Sequence, residues 1–300
     1  MRPAIGIDLG GTRIKAVAYD LDTEEELKRT ILSTDDGQFF DEDPAWANSI
    51  RDLLSEWETR FDQNFDSVGI ASPGLTAKDQ RSIAFMPSRL AGIEGLIWED
   101  FLKTSAKVRV ANDAHAALLG ETWQGAAKGS KNVILLTIGT GVGGAAISDG
   151  RLLRGHLGRA GHFGHLSLDP LGEPDICGTP GSLEDAIGDC TVEKRSNGRF
   201  TQTKELVEAH LAGDEQASET WLRSVHNLSA AITSLINALD PEIILLGGGI
   251  ANARENLLDP LHSFLDKMEW RPASNHVKIR IAELGEWAGA TGALHHGMIS

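Results

Sequence analysis

Two stretches of the chain, Asp8–Asp20 and Thr137–Asp149, share a plan that few folds use twice. Each is 13 residues long and reads as an apolar strand, a glycine-rich turn and a returning strand. They align without gaps, with Gly10 over Gly139 and Asp20 over Asp149. The identities are few, yet one such unit opening each half of a 300-residue chain points to an internal duplication. In the first half, Ala4–Asp8 and Ile14–Tyr19 are the hairpin strands. Val68–Ala71 and Val108–Ala111 are short buried strands, and Asp41–Phe61 and Asp113–Trp123 are helices. Asp43 is placed to cap the first helix, with Pro44 in its first turn. In the second half, Asn132–Ile138, Ala145–Ser148, Ile243–Leu246 and Val277–Ala282 read as strands. Thr203–Ala212, Ala217–Leu239, Pro260–Trp270 and Ala288–Ile299 read as helices. Such alternation belongs to an α/β protein, and the length suggests two domains or one large one.

Glycine accounts for 33 of the 300 residues, above the roughly 7% background, and its clusters are where function is sought. The formal charge of −15 argues against nucleic acid as a partner. No apolar run approaches the roughly 20 residues that span a bilayer. The N-terminus runs straight into a strand, so no signal peptide is expected. Two cysteines, Cys177 and Cys190, make no disulfide framework, which fits a reducing compartment and a cytoplasmic location.

Each glycine cluster has two readings. Asp8-Leu9-Gly10-Gly11-Thr12 is either a tight hairpin turn or a phosphate cradle. In the cradle, backbone N–H groups and the Thr12 hydroxyl meet an anion, and Asp8 orients a magnesium ion or its water shell. Gly139-Thr140-Gly141-Val142-Gly143-Gly144 satisfies G-x-G-x-x-G formally. A short strand rather than a helix follows it, so the dinucleotide reading fails and a second hairpin-type phosphate loop survives. Gly247-Gly248-Gly249 follows a buried strand and precedes a helix, where exposed amides could meet a nucleotide. Asn112-Asp113 is either a helix cap or the place of a general base, Asp113, for phosphoryl transfer.

Taken in order, Asp8–Thr12, VGIASPG (Val68–Gly74), ANDA (Ala111–Ala114), IGTGVGGAAISDG (Ile138–Gly150) and LGGGIA (Leu246–Ala251) resemble the ROK sugar kinases. Gly161, Gly164, His165 and Gly178–Glu184 fit the same pattern, and the resemblance covers essentially the whole chain. It implies an actin-like (ribonuclease H-like) duplicated α/β fold, with two domains closing on ATP and a sugar. The smaller domain would be residues 1–112 plus 288–300, and the larger 113–287. By position, Asp113 is implied as the catalytic base. Asp8, Gly10, Gly11, Thr12, Thr140, Gly141, Gly143, Gly144, Gly248 and Gly249 are implied to meet Mg·ATP. Gly74, Asn112, His162, His165 and Glu184 are implied at the sugar, and a homodimer is the family tendency.

Three departures bear on the acceptor. The family has Glu-x-Gly-His where this chain has His162-Phe163-Gly164-His165. The family's zinc segment, Cys-x-Cys-Gly-x-x-Gly-Cys-x-Glu, reads here Asp175-Ile176-Cys177-Gly178-Thr179-Pro180-Gly181-Ser182-Leu183-Glu184. Two thiolates have become Asp175 and Ser182, so zinc is not expected, although His165, Cys177 and Asp175 are its candidate ligands. The family's Asn-Leu step is Ser88-Arg89-Leu90 here, and Arg89 is either a surface residue or an anion contact. The reaction expected is transfer of the γ-phosphoryl group of ATP to a hydroxyl of a hexose or related sugar, glucose first. A non-catalytic sugar-binding or regulatory protein is the alternative, though no helix-turn-helix domain is expected before Asp8. A polyphosphate-dependent kinase is another.

Overall fold

The N-terminal apolar run becomes β1 (Pro3–Leu9), which turns back into β2 (Arg13–Asp20) and then β3 (Glu25–Ser33). Helix α1 (Ala45–Phe61), β4 (Ser67–Ser72), β5 (Lys107–Asn112) and α2 (Asp113–Gln124) follow. The computed structural model describes residues 1–87 and 89–299, so Ser88 and Ser300 lie outside the described residues. The sheet order is β3-β2-β1-β4-β5. Its first three strands are antiparallel neighbours, and β1, β4 and β5 are parallel.

The second half repeats this plan. Strands β6 (Val133–Ile138), β7 (Val142–Ser148), β8 (Arg151–Leu152), β9 (Ile243–Gly247) and β10 (Lys278–Ile281) lie in the order β8-β7-β6-β9-β10. The senses of pairing match those of the first sheet, strand for strand. Helices α3 (Thr203–Leu211), α4 (Glu215–Leu239), α5 (Glu255–Met268) and α6 (Ala288–Ile299) complete the chain. The duplication read from the two hairpins thus extends to whole sheets. The turns 10–12 and 139–141 fall at equivalent places. The registers nevertheless differ by one residue, since Leu9 pairs with Ile14 whereas Ile138 pairs with Val142.

The chain divides into two compact units: Met1–Lys128 with Arg154–Ala160 and Glu286–Ser300, and Gly129–Leu153 with Gly161–Gly285. The first unit therefore extends past the expected limit at residue 112. Its cause is α2, which packs closely on α6 in the same unit. In this unit Trp46, Trp57 and Trp98 are fully buried with Ile5, Ile7 and Val110. Small residues Ala71, Ala111, Ala116 and Ala293 form a second cluster. In the second unit, Trp221 on α4 is buried among Leu136, Ile232 and Leu261.

Three local expectations need correction. Asp43 does not cap α1. Asp43–Pro44 pairs with Phe39–Phe40 as a two-residue ladder, Pro44 is the cap residue, and Asp43 instead lies 3.6 Å from Arg51. Helix α5 begins at Glu255, five residues before Pro260, so a proline sits inside it. Proline cannot donate to the carbonyl four residues back, which here is Asn256. That carbonyl accepts the indole N–H of Trp221 at 3.1 Å. Gly143 and Gly144 belong to β7, opposite Thr137 and Leu136, and not to the turn.

Candidate active site

In the first unit, the carboxyl end of β1 delivers Asp8 and the carboxyl end of β5 delivers Asn112 and Asp113. Asn112 does cap α2: its Oδ1 accepts from the amides of Ala114 at 3.0 Å and His115 at 3.3 Å. Its Nδ2 donates to the carbonyl of Gly74 at 3.1 Å, which leaves the second Nδ2 hydrogen outside that bond. Gly74 has φ +99°, and a Cβ there would stand 2.7 Å from the carbonyl oxygen of Phe85. Asp113 opens α2 as an exposed residue, and its Oδ1 accepts the amide of Ala114 at 2.8 Å. His115, two positions after Asp113 and buried, has Nε2 at 2.9 Å from the carbonyl of Ala160, so α2 is tied to the Arg154–Ala160 segment.

Asp8 and Asp113 are near enough to interact electrostatically, and Lys15 stands between regimes of charge. Its Nζ is 3.8 Å from Asp8 Oδ2. Burial pushes the Asp8 carboxyl up to about 6; Lys15 opposes this and the charge of Asp113 adds to it. Lys15 escaped sequence reasoning because only the β1–β2 register, which sets Asp8 opposite Lys15, reveals the pair. Gly289 on α6 lies against Asp8, where a Cβ would come within 2.7 Å of the carboxyl carbon. Hard carboxylate oxygens short of positive charge are the donor set that suits magnesium. The turn after β1 leaves Gly11 open, with nothing within 4 Å of a Cβ placed there, and the Thr34 hydroxyl donates to the carbonyl of Gly10 at 2.6 Å.

A pH dependence follows. The folded-state pKa of Asp8, about 6, lies above its ordinary 3.8. The native state therefore holds an extra proton between these values, and stability falls as pH rises through that window. Above it the penalty is complete, on the order of 1–3 kcal/mol. Asp8→Asn is expected to raise Tm of the ligand-free protein at pH 7.5 and by less at pH 4.5, read by calorimetry. An equal gain at both pH values would contradict the assignment.

In the second unit, the turn 139–141 is tied down from below. The amides of Asp189 and Cys190 donate to the carbonyls of Gly139 and Thr140 at 2.9 and 2.8 Å. Glu184, on the short helix Leu183–Ile187, accepts the amide of Val142 at 2.8 Å, and a Cβ on Gly141 would stand 2.3 Å from its Oε2. Glu184 thus shapes the glycine turn. Gly144 has a packing cause of its own, since a Cβ would meet Gly161 O at 2.6 Å and Phe163 at 2.7 Å. Gly248, φ +86°, runs 2.4 Å (from its would-be Cβ) beside the carbonyl of Ile138, and Gly249 is open. His162 is half-buried before the turn Phe163–His165. Arg89, exposed, lines a depression of about 580 Å³ with Asp36 and Met86 in the first unit.

The donor set does not fit a closed zinc site. His165, Asp175 and Cys177 offer ligand atoms within 4.8 Å of one another, but His165 Nδ1 is bonded to Asp175 Oδ2 at 2.7 Å. Ser182 caps the helix Leu183–Ile187, accepting the amide of Asp185 at 3.2 Å. A structural zinc site takes four ligands, mostly thiolate and imidazole. Burial alone would push the Asp175 carboxyl up; donors from His165, Thr179, Ser182 and Cys177 outweigh it and hold it below the usual carboxylate range.

Two sheets of the same strand order, each opened by a hairpin with a glycine turn, define the actin-like ATPase fold. The chain belongs to the ROK family, whose model matches residues 4–296. It is 32% identical to a glucokinase of Halalkalibacterium halodurans, with 96% of this chain and 92% of that one covered. It is 29% identical to an N-acetylmannosamine kinase of Escherichia coli O157:H7, with 96% of each covered. A ROK family glucokinase from Streptomyces griseus, solved in complex with glucose and AMPPNP, superposes with a TM-score of 0.76. That pair is 26% identical, over 99% of this chain and all of the other. No helix among the described residues is long and apolar enough to cross a membrane.

Proposed function

We propose that this protein is an ATP-dependent sugar kinase that transfers the γ-phosphoryl group to a hydroxyl of a hexose, glucose first, with Asp113 as general base. The observation that carries the reading is the exposed Asp113 carboxylate at the start of α2, held by Ala114 N–H beside Asp8 and Lys15. Membership of a family whose relatives include glucokinases and an N-acetylmannosamine kinase supports the class. Asp113 takes the proton of the attacking hydroxyl, so that oxygen becomes a better nucleophile as it meets phosphorus. The amides at Gly10–Thr12 and Thr140–Gly141 are offered to phosphate oxygens, and Gly248–Gly249 to the nucleotide. Asp8 would hold magnesium or its water shell, and a magnesium ion bound with ATP supplies charge neutralisation on the phosphates. Asn112 positions Asp113 through the cap and offers its remaining Nδ2 hydrogen to the sugar, alongside His162, His165 and Glu184. The chain acts as a soluble, cytoplasmic homodimer in this reading.

The acceptor turns on His162. Imidazole can accept from one hydroxyl while donating elsewhere, but it cannot clamp two hydroxyls as a carboxylate does. A panel of glucose, mannose, N-acetylglucosamine and N-acetylmannosamine, run with ATP and with polyphosphate, should show ATP-dependent turnover of at least one sugar. His162→Glu is expected to raise kcat/KM for glucose about tenfold, the worth of one added charge-assisted hydrogen bond. Turnover of no sugar with either donor would sink the proposal.

A further inference from the structure

The loop between His165 and Ser182 contains a polar cluster whose hub is Asp175, a residue that the proposed phosphoryl transfer does not use. The loop exposes large apolar side chains, Leu171 at 93% and Ile176 at 90%, yet the Asp175 side chain is 0% exposed. Its Oδ2 lies 2.7 Å from His165 Nδ1. Its Oδ1 accepts the amides of Cys177 at 2.8 Å and Thr179 at 2.9 Å. Ser182, whose hydroxyl caps the helix Leu183–Ile187, closes the loop and also favours the charged form of this carboxylate. Cys177 Sγ stands 3.4 Å from His165 Nε2, the ring nitrogen turned away from Asp175. A carboxylate only accepts, so Nδ1 carries the hydrogen and Nε2 is left to receive the thiol S–H.

This cluster has the reverse polarity of a metal centre. A zinc ion gathers electron pairs from the ligands around it; here the centre supplies the electron pairs, and three hydrogens converge on it. We infer that the Asp175 carboxylate closes this loop in place of a metal ion, with His165, Cys177, Thr179 and Ser182 organised around it. A cation would find only His165 Nε2 and Cys177 Sγ uncommitted to Asp175, two ligands where a closed site needs four. Taking Asp175 as a third ligand would compete with the three hydrogen bonds its carboxylate already accepts.

The test reads metal content and stability, so it stands or falls separately from kinase activity. The full-length protein is expressed in zinc-supplemented medium, purified without chelator, and its zinc measured by mass spectrometry. The expected result is far less than one zinc per chain, with Tm unchanged by EDTA. Both thiols, Cys177 and Cys190, are exposed, and their reaction with a thiol reagent in the native protein is expected to proceed at the same rate with and without EDTA. Asp175→Asn, which keeps the shape but turns an N–H₂ toward His165, is expected to lower Tm by several degrees. About one zinc per wild-type chain, lost with a fall in Tm on adding EDTA, would overturn the inference. So would an Asp175→Asn protein as stable as wild type. The zinc measurement needs no variant, so it decides even if the substituted chain fails to fold.

Discussion

Asp113→Ala should lower kcat for sugar phosphorylation by about 10²–10⁴-fold, the usual contribution of a general base, while leaving the fold intact. The barrier would rise by roughly 3–5 kcal/mol. The reason to expect an undamaged fold is specific. Asp113 Oδ1 accepts the amide of Ala114, but so does Asn112 Oδ1, so that amide keeps a partner when Asp113 is truncated. Asp113→Asn is the companion variant, since it retains the cap and shape but cannot take a proton. Both variants should lose kcat together, with Tm near that of wild type and KM for the sugar little changed, since Asp113 acts in the transition state. Near-normal turnover in both would remove Asp113 from the mechanism. A loss seen only in the alanine variant would make Asp113 a positioning residue.

What the sequence reveals here follows from where the chemistry leaves a local trace. The hairpins are legible because glycine marks the turns and short apolar runs mark the strands, and the equivalence of turns 10–12 and 139–141 follows from that. Strand β3 leaves no such trace. Its sequence, EELKRTILS, is charged and largely exposed because it is the sheet edge, where polar residues discourage further pairing. Gly143 and Gly144 look like an extended turn in the sequence, whereas Gly144 is small because Gly161 and Phe163 cross its strand. Lys15 is invisible as a site residue until the register sets it beside Asp8. Asp175 is legible only as a missing cysteine; that three hydrogen-bond donors gather on its carboxylate is a fact of packing. Asn112 and Asp113 show the limit most plainly, for the cap reading and the catalytic reading describe neighbouring side chains that act together.

Helix α6 carries the second large effect, and Gly292 is its most demanding position. The helix is apolar nearly all round, and nine of its residues from Ala288 to Gly297 are buried. It sits against β1, β4, β5 and α2 within the first unit. Its glycines cost about 1 kcal/mol each in helix propensity relative to alanine, so they read as defects until the neighbours are seen. A Cβ on Gly292 would fall 1.6 Å from the carbonyl oxygen of Ala116 on α2, and the sheet meets the helix as closely at Gly69, 1.7 Å from the oxygen of Ala293. Backbone atoms cannot swing aside as a side-chain end can, so the two helices must separate to admit one methyl group. Gly292→Ala is therefore expected to cost about 3 kcal/mol or more, the upper range for overpacking. That corresponds to a fall in Tm of roughly 10 °C. Because α2 starts at Asp113, kcat should fall with it at temperatures where the protein remains folded. Gly297→Ala is the milder comparison on the same helix: its Cβ would stand 3.2 Å from the amide nitrogen of Gly69, a tight contact that a shift of a few tenths of an ångström relieves, so its loss of stability is expected to be much smaller. Equal stability of the two variants would show that α2 and α6 do not pack as closely as the backbone positions require.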